Sequence, residues 1–461
     1  MASDDTDSGL IPFLEKAGRP RTSSGPVYLL RALRNRNYRL FFGGQGISLI
    51  GTWMQSIALN WLVYRMTGSA MLLGAVAFVG QIPMLLLAPL AGVLADRWNL
   101  RRLLVLTQSL ALIQAAILAT LTLTNAIQVW EILCLSGFIG LVNAFDMPGR
   151  QAFVVHMVER SEDLGNAIAL NSFLVNGARL IGPSLAGLII AAVGEGTCFL
   201  LNALSYIAVI MSLLLMVVTP REISPHKSSF VRGLHEGFAY AFGFAPIRTV
   251  LILLSISSLM GMSYTTIMPL FAAEILGGGP RTLGFLLGAT GMGAVVGALY
   301  LASRPTVIGL GRLIYCGAGI FGLALLAVSA SKTLWLALPL MFLLGLGMML
   351  QIASSNTILQ TIVDDDKRGR VMSIYAMAFL GVTPFGSLMA GSIAHALGSP
   401  STLLIGGISV FVGAVLFALR LPSLRPLIRP IYIRKGIIPV PPDEAQAAPA
   451  RTDPVHEYTH R

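Results

Sequence analysis

Four places along this chain carry residue types that chemistry could use. The first is the run Gly92-Val-Leu-Ala-Asp96-Arg97-Trp-Asn99-Leu-Arg101-Arg102, one carboxylate followed by three guanidinium groups. That spacing suits exchangeable ion pairs. A carboxylate at a helix end settles against the N-terminus of another helix, where the dipole favours negative charge. The second is Asp146, at the end of an apolar stretch, placed to serve as an ion-pair partner or as a proton carrier. The third is Arg179, the one cation well inside an apolar stretch. The fourth is His456-Glu457-Tyr458-Thr459-His460, a formal match to H-E-x-x-H. A zinc site of that kind needs a stable helix and a third ligand. This copy ends a Pro-rich tail one residue from the last, so zinc hydrolysis is refused. With no Walker A sequence, ATP-driven work by this chain has no support either. The sequence therefore points to no metal and no cofactor.

At 100° per residue, Ser172, Asn176, Arg179, Pro183 and Ala186 share one narrow helical face, while Leu174, Ile181, Leu185 and Leu188 lie opposite. Arg179 is thereby expected to face the protein interior, because a lipid-facing guanidinium costs at least a few kcal/mol. Two roles fit it: attracting an anionic substrate or moving in a conformational change, and, equally, tying helix ends or carbonyls together. Gly182-Pro183 bends the same segment, since Pro removes a backbone donor. Gly177, Gly182 and Gly187 here, and Gly284, Gly288, Gly293 and Gly297 further on, are spacings at which helices approach closely.

The elements that position these groups follow from composition. The chain has 461 residues, 55% hydrophobic and 11% charged. Soluble domains carry about 25% charged residues, so a soluble enzyme is excluded. Apolar blocks fall at 41–64, 72–94, 103–124, 129–147, 165–193, 197–219, 249–273, 283–303, 312–330, 334–360, 371–397 and 402–420. Each reaches across a hydrocarbon core of about 30 Å, and in lipid only a helix satisfies its own backbone. The fold class is an all-α integral membrane protein of twelve spans. Alternate loops hold 28 of the Lys and Arg residues against 3 in the others, placing both termini in the cytoplasm. The net charge of +11 is thus spread over lipid-facing loops and makes no nucleic-acid footprint. Cys134, Cys198 and Cys316 lie inside apolar blocks, with no disulfide framework.

Residues 1–36 read as a polar arm with no signal peptide, 37–219 as one six-helix half, 220–248 as a cytoplasmic linker with an interfacial helix at Phe230–Phe244, 249–420 as a second half, and 421–461 as a basic, then disordered, tail. GPSLAG at 182–187 recurs as GSLMAG at 386–391, as a repeat of two six-helix units predicts.

Six plus six spans and the Gly92–Arg102 loop resemble the major facilitator superfamily and its G-x-x-x-D-R/K-x-G-x-R/K-R/K signature. Asn99 stands where Gly is usual; Asn tolerates a left-handed turn. LRNRNYRLFFGGQGISLIGTWM, FDMPGRQAF, NAIALNSFLVNGARLIGPSLAG and GRVMSIYAMAFLGVTPFGSLMAG are similar to one branch, the transmembrane secretion effectors, which export drugs and siderophores and include the enterobactin exporter. The resemblance implies that Asp96 meets the start of span eleven near Gly369 and Arg370, that Arg97, Arg101 and Arg102 meet Asp146, and that breaking these pairs works a cytoplasmic gate. It also implies a cavity lined by spans one, four, seven and ten. Gln45, Thr52, Gln55, Asn60, Asn143, Ser258, Thr266, Gln351 and Ser354 are its candidates, although each alone suits plain interhelical hydrogen bonding.

The sequence reading is therefore a non-enzymatic secondary transporter in the bacterial inner membrane. It exports an amphipathic small molecule by alternating access, with protons exchanged and Asp146 the coupling candidate. Its partners are that substrate, protons and the bilayer, and no protein partner is indicated. Uptake of a small organic solute and a non-transporting scaffold with a basic tail remain the alternatives.

Overall fold

A computed structural model describes residues 31–154, 157, 161–217 and 230–439, with no side-chain description at 88–97, 161–162 and 230–235. Among the described residues there is no strand. Ten helices are long and apolar enough to cross a membrane. The last of these, Arg368–Arg434, breaks at Gly398, whose φ of +83° is open to glycine and costly for other residues, so it supplies two crossings. Arg36–Thr67, whose polar stripe lowers its hydropathy, completes twelve. The spans run as follows: one Arg36–Thr67, two Ala70–Arg97, three Leu100–Leu123, four Val129–Val154, five Ser161–Val193 and six Glu195–Leu215. Seven is Ala245–Ile275, eight Pro280–Ala302, nine Leu310–Ala330 and ten Leu334–Ile362, with eleven and twelve on either side of Gly398.

Within the first six, span two packs on four, one on five and six, and three on six; in the last six, eight and nine pack on ten, and nine on twelve. The two sets meet along two seams, span five against eight and span two against eleven. The repeated hexapeptide explains the seams. A Cβ placed on Gly187 would stand 2.9 Å from the Gly284 Cα, and one on Gly391 would stand 2.9 Å from the Gly74 Cα. The last glycine of each copy is thus the crossing point of its seam, where only hydrogen lets the backbones approach. Gly293 and Gly297 face span ten instead, beside Phe342 and Leu346, so the span-eight glycines serve two neighbours.

Three departures from the sequence reading stand out. Span seven contains π turns at Ser257–Gly261 and Phe271–Ile275, and span eleven another at Met377–Gly381. A π turn frees a carbonyl from the helix ladder, and Ser258 donates to the one at Phe379. The final helix does not stop at 420 but continues to Arg434 through Pro422, Pro426 and Pro430. Leu421 and Leu424 are buried, and Arg434 Nη2 bonds Asp364 Oδ1 at 2.9 Å, which anchors the extension to the loop after span ten. The disorder expected further along, from 440, lies outside the described residues. Finally, the arm is tied to span five at its end: Ala32 N donates to Asn166 Oδ1 at 2.9 Å, and Arg31 pairs with Asp163.

Candidate functional site

Arg179 sits in span five where the two halves touch. Its own carbonyl lies 3.0 Å from where a Cβ on Gly291 of span eight would stand. From there the side chain reaches Met348 of span ten, with Nη2 3.8 Å from Sδ, and the Trp53 ring of span one, with Cζ 5.6 Å from the centroid. Gly182 makes the stacking possible, since a Cβ there would stand 2.5 Å from the Trp53 Cβ. As the helical-face argument predicts, Ile181, Leu185 and Leu188 are exposed; Leu174, expected with them, is instead buried against Gly46. Asn176 turns back on its own helix, donating to Ser172 O at 2.8 Å. Pro183 and Gly187 carry the seam contacts with Gly284.

Asp146 is 1% exposed and lies in the first half between spans three and four. Thr107 Oγ1 donates to its Oδ1 at 2.8 Å, Gln108 Nε2 at 2.7 Å, and Arg150, one turn along the same span, pairs with Oδ2. This corrects the latch expected of Arg101 and Arg102. Arg101 caps the end of span six, donating to Leu213 O at 2.7 Å and Leu214 O at 2.6 Å. Arg102 is exposed, and its backbone N–H donates to Asn99 Oδ1 at 3.1 Å. Asn99 therefore caps the N-terminus of span three in an extended conformation, φ −66° and ψ 107°, and makes no left-handed turn. Gly92, Asp96 and Arg97 close span two, and the contacts expected of their side chains lie outside the described residues. Arg370 bonds Glu236 of the linker helix Phe230–Gly243 at 2.8 Å. Nearby, Tyr240 donates to Asp364 at 3.2 Å beneath the Lys367 ammonium; burial raises the Tyr240 phenol above its ordinary pKa, so it remains a neutral donor.

The cavity candidates divide. Gln55, Ser258, Thr266, Gln351 and Ser354 are buried between helices, a correction to their expected place on an open path. Gln55 accepts from Asn202 at 2.8 Å and donates to Gln114 at 3.0 Å, all within the first half. Ser258 meets Thr383 at 2.9 Å, Thr266 meets Ser387 at 3.1 Å and Gln351 meets Ser257 at 2.6 Å, each joining two helices of the second half. Ser354 is fully enclosed. Thr52 and Asn143 are exposed and Asn60 is partly so. Gln45 lines a small cleft with Phe41, Gln108 and Arg150, beside Asp146. The sequence reading missed Arg150 and Trp53. Arg150 lies four residues beyond Asp146, a helical ion-pair spacing, but was read only as a loop charge. Trp53 lies in span one, with no sequence relation to Arg179.

The seam between spans five and eight is close-packed from Gly187 to Arg179, but a Cβ on Gly177 would meet nothing within 4 Å, and Ser172 is exposed. The span five–eight seam is thus tight from Gly187 to Arg179 and open at Gly177, whereas the seam of spans two and eleven is still close at Gly381, where a Cβ would stand 2.7 Å from Leu85 Cδ1.

Residues 29–427 match the family model of the transmembrane secretion effectors. The chain is 29% identical over 380 residues to the staphyloferrin A transporter of Staphylococcus aureus, covering 82% of this chain and 95% of that one. It is 24% identical over 393 residues to the multidrug efflux pump Tap of Mycolicibacterium fortuitum, covering 83% and 93%. Among solved structures, a bacterial homologue of the lysosomal transporter Spinster, in an inward-facing and unoccupied conformation, superposes with a TM-score of 0.64 at 13% identity, covering 89% of this chain and 98% of that one. The POT-family transporter PepTSo gives 0.65 at 12% identity, covering 85% and 98%. These two likenesses concern the fold.

Proposed function

Because the chain belongs to the transmembrane secretion effector family, we propose that it exports an amphipathic small molecule across the bacterial inner membrane by alternating access, driven by protons moving the other way. The observation that carries the reading is the pair of equivalent glycine crossings, Gly187 on Gly284 and Gly391 on Gly74. Two smooth seams at matching positions let one six-helix half rock against the other. Relatives named for staphyloferrin A and for multidrug efflux, aligned over more than nine-tenths of their lengths, support export of drug-like or siderophore molecules.

Asp146 is the proton-coupling candidate: a buried carboxylate held by two neutral donors and one arginine, beside a cleft that Gln45 lines. Release of Arg150 on protonation is the step by which it would act. The test uses inside-out vesicles, acid inside, with a panel of cationic dyes and catecholate siderophores. The expected result is protein-dependent uptake that a protonophore collapses and that Asp146→Asn lowers at least tenfold. Uptake of no panel member by folded protein would overturn export; uptake indifferent to Asp146→Asn would overturn the coupling role alone.

A further inference from the structure

Arg179 is a guanidinium at mid-membrane depth with five N–H donors. Among the described residues it forms no ion pair and donates to no carbonyl; its contacts are a thioether at 3.8 Å and the face of an indole. A thioether is a weak acceptor, and an aromatic face satisfies charge without taking up the planar fork of donors. The role of tying carbonyls together, open from the sequence, is therefore not the one the structure gives it. A guanidinium is held at that depth only where something compensates it, and its fork pairs bidentately with a carboxylate.

The surroundings define what would bring the carboxylate. Trp53 and Met348 present an indole and a thioether to the cation, each from a different span. Span one belongs to the first half and span ten to the second. Gly182 and Gly291 give the close approaches that bring them together, Gly182 admitting Trp53 and Gly291 admitting the Arg179 backbone. We infer that Arg179, Trp53 and Met348 form the substrate subsite, and that it takes an amphipathic organic carboxylate, with the carboxylate on the guanidinium and the apolar body against the indole and thioether. This rests on the export reading above and gives its substrate a charge. Because the subsite is built from both halves, a bound anion draws Arg179 from Met348 of the opposite half. Occupancy thereby acts on the seam that must part.

The experiment compares carboxyfluorescein, an amphipathic carboxylate, with ethidium, an amphipathic cation, in inside-out vesicles of the full chain, acid inside, against vesicles lacking the protein. Anisotropy of carboxyfluorescein with purified protein gives binding apart from transport, and thermal unfolding reports the fold. The wild type is expected to accumulate carboxyfluorescein. Arg179→Gln is expected to weaken both its uptake and its binding about tenfold or more, while ethidium uptake does not fall, because the variant removes a like charge from its path. Arg179→Lys, which keeps the charge and loses the fork, is expected to fall between. Trp53→Leu, removing the stacking face but not the charge, is expected to weaken carboxyfluorescein binding severalfold.

The inference is overturned if the wild type carries ethidium but not carboxyfluorescein, or if Arg179→Gln leaves carboxyfluorescein binding unchanged. Equal loss of both probes in a folded Arg179→Gln protein also overturns it, since that outcome assigns Arg179 to the conformational cycle. Transport of neither probe by the wild type, without carboxyfluorescein binding, overturns the subsite; the siderophore and dye panel then decides export by itself.

Discussion

At the scale of single residues, the same side-chain type has opposite fates according to what lies within reach. Asp146 and Arg150 are one helical turn apart and neutralise each other, with Thr107 and Gln108 holding one carboxylate oxygen. Arg179, in the next span, has no such acid among the described residues. Breaking a buried pair costs about 3–5 kcal/mol because it leaves an uncompensated charge, whereas replacing both partners with apolar groups is often neutral. Asp146→Ala is therefore expected to destabilise the purified protein by about 3 kcal/mol or more, and Asp146→Leu combined with Arg150→Met to recover most of that loss. Thermal unfolding in detergent measures both. A double variant no more stable than the single one would mean that Thr107 and Gln108, and not Arg150, hold the carboxylate in place. Asp146 was recognisable in the sequence as an acid at a span end, but its partner was assigned by family likeness to the loop arginines. Arg101 instead satisfies the last carbonyls of span six, groups that every helix end leaves open.

At the scale of elements, span lengths and the inward face of span five were legible because both follow from periodicity and from the absence of water in the bilayer. The π turns were not, since one surplus residue per turn leaves no mark in composition. The extension of the last helix was hidden for the opposite reason. Three prolines at four-residue spacing read as a stop, yet Leu421 packs on Gly311, and Arg434 and Lys435 hold Asp364 and the Val363 carbonyl. Removing residues 440–461 is therefore expected to leave uptake within twofold of the full chain. Removing 421–461 is expected to cost about 1–2 kcal/mol and to lower the unfolding temperature by about 1–2 °C, as an unfolding entropy of about 2 cal/mol/K per residue gives. Equal unfolding temperatures for the two truncations would show that the extension is idle. The glycine seams make a sharper test. Gly187→Val forces a side chain into the Gly284 backbone and is expected to cost about 1–3 kcal/mol, with uptake reduced at least tenfold. Gly177→Ala, in open space on the same helix, is expected to change neither. Transport that is indifferent to Gly187→Val would remove the seam from the mechanism.

At the scale of the whole molecule, the repeat that appeared in the sequence only as two similar hexapeptides becomes the organising symmetry. Gly187 and Gly391 occupy matching places and lock onto matching glycines of the opposite half. Arg179 lies near the inner end of one of these seams, so the charge and the moving surface are the same structure. The proposed alternating access requires the halves to separate there, and a covalent tie across the seam should prevent it. Ser184 of span five lies directly against Gly288 of span eight. Ser184→Cys with Gly288→Cys, in a chain whose Cys134, Cys198 and Cys316 are replaced by alanine, is expected to form a disulfide on mild oxidation. Uptake in vesicles is expected to fall at least tenfold when the bond is formed and to return when dithiothreitol reduces it. Carboxyfluorescein binding should persist in the oxidised protein, because the bond joins Ser184 to Gly288 and leaves Arg179, Trp53 and Met348 in place. Full transport by protein shown to be cross-linked would mean that the two halves do not part along this seam, and the alternating-access reading would fail with it.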